Sequence, residues 1–175
     1  MFRGLASIFS APTYQQESHQ LYLKLVEVAR DPVFYTDYAV PDTVDGRFDM
    51  IALHMFLVTS RLKKEGAPEA LEFLRAVSEV FFADMDRSLR EMGSTDTGVG
   101  KRVKKMSQAF YGRQLAYQAA SGDNVKMQEA LLRNLYRGDV EKSLHAAKMA
   151  AYTQQQLAEY AKIDTDELMA RNIPA

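Results

Sequence analysis

The spacing of apolar side chains along the chain predicts α-helices almost throughout. In the segment 14–30, apolar residues recur three and four positions apart, at Leu21, Leu25 and Val28, which is the period of one helix face. Asp31 precedes Pro32, and the residue before a proline is pushed out of the α region, so this helix is expected to end there. An aromatic-rich connection and a turn-forming run, 40–46, separate it from the next helix.

The segment 47–64 differs from the rest because it is apolar on nearly every side. A helix of this kind belongs in the middle of a bundle or lines a groove. Its apolar residues are Phe48, Ile51, Leu53, Met55, Phe56, Leu57, Val58 and Leu62. We therefore predict a central helix that ends at Gly66, with basic residues in its last turn as the helix dipole prefers.

Four longer helices and one final turn are predicted after this central helix. They are 68–92, which opens on Pro68, a helix from about 99 to just before Gly122, one capped by Asp123 that runs to Gly138, and 140–160, capped by Asp139. In the last of these, the residues expected to face inward are Leu144, Ala147, Ala151, Leu157 and Tyr160. Asp164 can cap the final turn.

The pattern as a whole predicts an all-α protein. No stretch of four or more residues alternates strongly enough to indicate a strand. We expect a single helical domain of about six to seven helices, 13–175, preceded by a flexible or weakly amphipathic N-terminus, 1–12. The 175 residues suffice for one domain with a hydrophobic core.

Composition and charge narrow the function. The absence of cysteine excludes disulfides, thiolate-bound metals and cysteine nucleophiles. The net charge of −1 argues against a general binder of nucleic acid, so any polyanion would need a local patch. The longest apolar run, 50–58, is about half the length of a membrane-spanning helix, and the first 14 residues are a poor secretory signal.

The stretch 84–113 carries charge in an unusual place. Helices usually start with acidic residues, yet a basic cluster opens the predicted helix at 99, made of Lys101, Arg102, Lys104 and Lys105. Such a helix start could hold an anion, such as a phosphate, a lipid head group or a partner's carboxylate. Alternatively, Asp84, Asp86 and Glu91 neutralise part of the cluster across the glycine-rich connection. The sequence leaves both interpretations open.

Catalytic patterns are weak. Gly93 and Gly98 have the separation of the outer glycines in a phosphate-binding loop, but Val99-Gly100 replaces the required Lys-Ser/Thr pair. The three histidines, His19, His54 and His145, lie on different predicted helices without a ligand partner at metal-binding spacing. Nine methionines would suit a surface that accepts varied apolar partners, although methionines at helical spacing are more often core residues. A metal-dependent enzyme using Asp84, Asp86 and His54, or a helical protein that binds lipid or quinone, are the alternatives.

Several long and ordered strings carry a resemblance to a known family. They are the runs 40–43 and 45–50 (VPDT and DGRFDM), 82–86 (FADMD), 89–93 (LREMG), Asp96, 98–101 (GVGK), 103–106 (VKKM) and 109–113 (AFYGR). In these strings the chain resembles the ubiquinol–cytochrome c chaperone family, most closely between 35 and 119.

The resemblance implies a non-enzymatic chaperone for assembly of the cytochrome bc1 complex, without a cofactor or metal. It implies cytochrome b, newly synthesised or newly inserted, as the partner, with the ribosome or an anionic membrane surface as further partners and no DNA. Because no organellar presequence is evident, the chain is similar to bacterial members that act at the cytoplasmic face of the inner membrane. The oligomeric state stays open.

On this basis we expect three groups of site residues. The partner-binding group consists of Phe34, Tyr35, Tyr38, Phe48, Met55, Phe56, Met85, Met92, Met106, Phe110 and Tyr111. The basic patch consists of Lys101, Arg102, Lys104, Lys105 and Arg113. The structural motif consists of Asp84, Asp86, Gly93, Asp96, Gly98 and Gly100. Charge reversal at Lys101 and Lys105 is expected to weaken association with the partner or the membrane while leaving the fold intact.

Overall fold

The computed structural model describes residues 14–93 and 96–170, except the side chains of residues 96 and 97. The predicted N-terminal segment 1–12 lies outside the described residues. The helices are α1 (Gln15–Ala29), α2 (Pro32–Thr36), α3 (Val44–Glu65), α4 (Pro68–Glu91), α5 (Asp96–Ala120), α6 (Asn124–Asn134), a 3₁₀ turn (Val140–Lys142), α7 (Ser143–Tyr160) and α8 (Thr165–Met169). The all-α prediction is confirmed, and none of the described helices is long and apolar enough to span a membrane.

Helix α3 forms the centre of the bundle, as its sequence predicts. It contacts α1, α4, α5 and α7, and every residue from 48 to 59 is buried. The helix begins earlier than predicted because Thr43 caps it, with its Oγ1 accepting a hydrogen bond from the Gly46 N–H at 3.1 Å. The end of the turn-forming run is therefore the first turn of α3, since a threonine cap favours a helix start.

Gly46 allows the chain to fold back at this start. A Cβ atom placed on Gly46 would lie 1.9 Å from the carbonyl oxygen of Pro41, far inside van der Waals contact. Only a residue without a side chain leaves room for this close approach. Residues 40–46 therefore form a tight turn that leads into the central helix.

Helix α5 also begins earlier than its glycines suggest. Gly98 and Gly100 lie inside the helix, so the predicted glycine-rich connection is shorter than expected. Val99 is fully buried, and tertiary packing of this kind overrides the low helix propensity of glycine. As a result, the cations at 101–105 occupy the second and third turns of α5 rather than its first.

Two other local predictions need correction. The aromatic connection contains the short helix α2, for which Asp31 accepts a hydrogen bond from the Val33 N–H at 2.9 Å. On α7, Leu144 does not face inward but is 83% exposed, and Ala151 is also exposed. The buried residues of α7 are Ala146, Met149, Ala150, Thr153 and Tyr160, so its buried face is made largely of small residues, which the spacing of larger apolar side chains does not mark. The predicted caps Asp123 and Asp164 are confirmed, whereas Asp139 caps the 3₁₀ turn and α7 itself has no side-chain cap.

Candidate functional site

Two adjoining depressions meet where the N-terminal part of α3 packs between the C-terminal part of α4 and the N-terminal half of α5. Their volumes are about 550 Å³ and about 330 Å³, and both are open to solvent. The two depressions share a floor. We call the two depressions together the methionine groove. The floor residues are Val44, Phe48, Leu89, Met92 and Met106.

The floor of the methionine groove is apolar because three helices each contribute an apolar side chain to it. Phe48 from α3 and Leu89 from α4 are buried, whereas Met92, just after α4, is 50% exposed. Met106 of α5 packs partly buried against the hydrophobic core. Exposed or half-exposed thioethers are flexible and polarisable, so such a surface can adapt to apolar partners of different shape.

One end of the groove is built on a buried carboxylate, Asp49. Its side chain is fully buried, and its two oxygens pair with two arginines: Oδ1 lies 2.7 Å from Arg113 Nη2 and Oδ2 lies 2.6 Å from Arg137 Nη2. Both arginines line the groove. The ion pairs therefore fix two guanidinium groups at the groove wall, joining α3, α5 and the loop after α6.

Arg137 is held in an unusual backbone conformation. Its φ angle is 58°, in the left-handed region that non-glycine residues seldom adopt. Its guanidinium also donates a hydrogen bond to the carbonyl oxygen of Asn134. Strain of this kind persists where the surroundings fix it, and here backbone hydrogen bonds flank Arg137, such as that from the Gly138 N–H to the Leu132 carbonyl at 2.9 Å, beside the ion pair with Asp49.

Burial dominates the protonation of Asp49. Loss of solvation raises the pKa of this carboxyl to about 6, although Arg113 and Arg137 act in the opposite direction. Asp49 is therefore ionised at neutral pH and balances one of its two arginines. The pair of arginines keeps an excess of positive charge at this end of the groove.

The structure brings together only part of the expected partner-binding group. Phe48, Met85, Met92 and Met106 line the groove. Met55, Phe56 and Phe110 are buried in the hydrophobic core, and Tyr111 is exposed beside Phe82. Phe34, Tyr35 and Tyr38 lie in or against the core elsewhere: the rings of Phe34 and Tyr38 contact Tyr152, and the Tyr35 hydroxyl donates to the carbonyl of Ala29 at 2.9 Å.

Only part of the expected basic patch lies at the groove. Arg102, Lys105 and Arg113 line the groove, whereas Lys101 and Lys104 are exposed and do not. Arg113 differs from the others because its side chain is only 12% exposed. Arg137 belongs to this charged wall but lies in a loop, where no helical periodicity marks it.

The acidic residues of α4 have partners other than the lysines of α5. Asp84 pairs with Arg87 and accepts a hydrogen bond from the Tyr22 hydroxyl at 2.7 Å, and Asp86 pairs with Arg90. The expected neutralisation of the lysines by these two carboxylates is thus wrong. Lys101, Lys104 and Lys105 form no ion pair within the described residues.

His54, the third residue of the alternative metal site, has a structural environment. Its two ring nitrogens lie 2.8 Å from the carbonyl oxygen of Met50 and 2.9 Å from the Tyr152 hydroxyl. Burial lowers the pKa of His54 to about 4, so the ring is neutral at pH 7. Among residues 14–93 and 96–170, no group of three or more His, Asp or Glu side chains is arranged to hold a metal ion.

Comparison with known proteins identifies relatives over most of the chain. The family model described as "Ubiquinol-cytochrome C chaperone" matches residues 36–175. The "Ubiquinol-cytochrome c reductase complex assembly factor 1" of Drosophila melanogaster is 21% identical over 159 residues, which cover 88% of this chain and 61% of that protein. The human protein of the same name is 22% identical over 151 residues, or 86% of this chain and 50% of that protein.

A solved structure supports the same relationship. The crystal structure of the Cbp3 homolog from Brucella abortus is similar to this one with a TM-score of 0.81 and 38% sequence identity, covering 91% of this chain and 88% of that chain. The chain spans about half to three fifths of the length of the fly and human relatives. With the family model matched across 36–175 and a structural relative at 38% identity, the chain belongs to the ubiquinol–cytochrome c chaperone family.

Proposed function

We propose that this protein assists the assembly of the cytochrome bc1 complex by holding apolar segments of newly made cytochrome b in the methionine groove. The observation that carries the proposal is the groove itself, an open apolar surface with arginine and lysine side chains at one end. Its floor and wall include Phe48, Met92, Met106 and Arg113, which stand in the strings that resemble the family.

The chemistry of the groove suits temporary binding. An apolar client segment is removed from water by the floor, while the flexible methionines adapt to its side chains. The cations at the groove wall, such as Lys105, favour a site of action near the anionic surface of the membrane in which the client is inserted. We propose the cytoplasmic face of a bacterial inner membrane as that site.

The substitution Met92→Lys tests the groove directly. Met92 is half-exposed at the end of α4, where a lysine suits the helix dipole, so the fold is expected to be retained. An apolar client would bury the new ammonium group at a cost of at least about 1 kcal/mol, which lowers affinity about fivefold or more. The readout is the amount of cytochrome b that co-purifies with the tagged protein from membranes of its source organism.

Leu115→Lys is the matched control. Leu115 is 73% exposed, compared with 50% for Met92, but Leu115 does not line the groove. The control is expected to retain cytochrome b, and equal retention by Met92→Lys would contradict the groove. A deletion strain tests the function at a coarser level, since normal cytochrome b and bc1 levels in that strain would refute the assembly role itself.

The same preparations test the two alternatives. A stoichiometric metal in elemental analysis would favour an enzyme that uses Asp84, Asp86 and His54. Co-purified quinone or lipid in an organic extract, lost in Met92→Lys and retained in Leu115→Lys, would favour a lipid- or quinone-binding protein.

A further inference from the structure

Charge is unevenly distributed along the methionine groove. At the end lined by Arg113 and Arg137, the described lining residues include four cations, Arg102, Lys105, Arg113 and Arg137, and one carboxylate, Asp45. The other end mixes Arg30 and Arg47 with Asp84 and Glu91. An occupant of the groove therefore meets net positive charge at one end only. We refer to the first as the cationic end.

The buried carboxylate does not neutralise the cationic end. Both oxygens of Asp49 are already taken, one by Arg113 and one by Arg137. The Arg113 side chain is only 12% exposed, so the charge that an occupant can reach belongs mainly to the other cations of this end. The side chain of Arg137 is still 47% exposed, and Lys105 has no ion pair within the described part of the chain. Among the described residues, the positive charge that lines this end therefore exceeds the negative charge that lines it.

We propose that the cationic end binds a carboxylate of the client. Arg137 and Lys105 would then select amphipathic helices in which an Asp or Glu lies one turn beyond the end of the apolar face. This inference rests on the proposed function, because it assigns a chemical preference to the same groove. The apolar face of such a helix covers Phe48, Met92 and Met106. Its carboxylate then reaches the cationic end and fixes the direction in which the helix lies.

The arrangement of Arg137 supports selection rather than general attraction. Its guanidinium is oriented by Asp49 and by the carbonyl of Asn134 before any partner arrives. A pre-oriented side chain loses little conformational entropy on binding, so more of the charge interaction contributes to affinity. Both depressions of the groove are also open to solvent, which suits a helix better than a small lipid, since small-molecule sites enclose most of the ligand surface.

Two synthetic peptides of about 18 residues, long enough to form a helix, test the selection. Both carry one stripe of leucines on an alanine-based helix and a fluorescein label. One has Glu a turn beyond the stripe, and its twin has Gln at that position. Fluorescence anisotropy at low ionic strength gives the affinity of each peptide for the full chain and its variants. We expect the Glu peptide to bind about five to ten times more tightly.

Lys105→Gln and Arg137→Gln are both expected to remove most of that preference, by weakening the Glu peptide and leaving the Gln peptide unchanged. Lys64→Gln removes an exposed charge that does not line the groove, so the preference is expected to persist. Loss of Arg137 leaves Asp49 with one partner and could unfold the chain. Lys105→Gln breaks no internal ion pair among the described residues and therefore carries the test on its own.

The outcomes separate this inference from the proposed function. Equal affinity of the wild type for both peptides would overturn the selection of a carboxylate, while the groove would remain an apolar binding site. A preference that survives Lys105→Gln would overturn the role of the cationic end. A third outcome is that neither peptide binds, whereas sodium oleate binds and Lys105→Gln weakens its binding. That result would assign the groove to a fatty acid and refute both proposals.

Discussion

At the scale of single residues, the groove wall depends on a pair that local sequence patterns cannot reveal. Asp49 lies in a helix that is otherwise apolar on nearly every side, and Arg137 lies in a turn before Gly138. Neither position has a spacing or motif that points to the other. Only the packing of α3 against α5 and the loop after α6 brings them to 2.6 Å. Arg113, by contrast, was expected in the basic patch because it stands in a family string.

Gly46 allows a stability prediction at the same scale. Gly46→Ala places a methyl group against the Pro41 carbonyl, so the start of α3 has to shift. We expect the free energy of unfolding to fall by about 2 kcal/mol, as for other overpacked sites. Urea unfolding followed by circular dichroism measures this change.

Gly112→Ala provides the control. Gly112 is exposed inside α5, and its added Cβ would meet no atom within 4 Å. Alanine is a better helix former than glycine, so this variant is expected to gain roughly 0.5–1 kcal/mol. If both variants changed stability in the same direction, the close contact between Gly46 and Pro41 would not be the cause.

At the scale of helices, most of the fold could be predicted because its signals are local. Capping residues such as Asp123 and Asp164, together with the apolar spacing, indicate where helices begin and which face is buried. The failures occurred where tertiary packing outweighed local signals. Buried Val99 lies between two glycines that are part of α5, and α7 packs the small residues Ala146 and Ala150 inward while Leu144 stays exposed.

Lys101 and Lys105 belong to the same basic patch in the sequence, but they occupy different positions relative to the groove. Lys105 lines the methionine groove, whereas Lys101, one turn earlier, does not. Lys105→Glu is therefore expected to reduce co-purification of cytochrome b severalfold by repelling an acidic client. Lys101→Glu makes the same charge change in the same helix and is expected to have a smaller effect. If Lys101→Glu were as damaging, general attraction to anions would explain the patch better than the groove.

At the scale of the whole molecule, α3 joins the bundle through buried polar contacts as well as apolar ones. Gln114 of α5 donates to the carbonyl of Ala52 at 3.0 Å, and His54 lies 2.9 Å from the Tyr152 hydroxyl of α7. Buried polar contacts of this kind favour one packing arrangement over others. They also make the stability of the bundle depend on the protonation state of its interior.

The pKa of His54 gives that dependence a direction. Its value of about 4 in the folded chain lies below the unfolded value of 6.5, so the unfolded chain binds the proton more readily. Stability from neutral His54 is complete above pH 6.5 and falls as the pH drops towards 4. The loss reaches about 2 kcal/mol by pH 5.

His54→Gln isolates this contribution. Urea unfolding at pH 7 and pH 5 is expected to show the stability difference between wild type and variant shifting by about 2 kcal/mol in favour of the variant at pH 5. Asp49 titrates in the opposite sense, because burial raises its pKa, but it is present in both proteins and cancels. His19→Gln, an exposed site on α1, is the control. A pH-independent difference for His54→Gln would contradict a buried neutral histidine.

The ion pair between Asp49 and Arg137 also bears on the order in which the site forms during synthesis. The apolar floor is complete once the chain has emerged as far as Met106, whereas the cationic end needs the turn that contains Arg137. A nascent chain shorter than this has the apolar floor with Arg102 and Lys105 beside it, but it lacks Arg137, and Asp49 lacks one of its partners. The selection of acidic clients that we propose is therefore incomplete until the turn that contains Arg137 has left the ribosome.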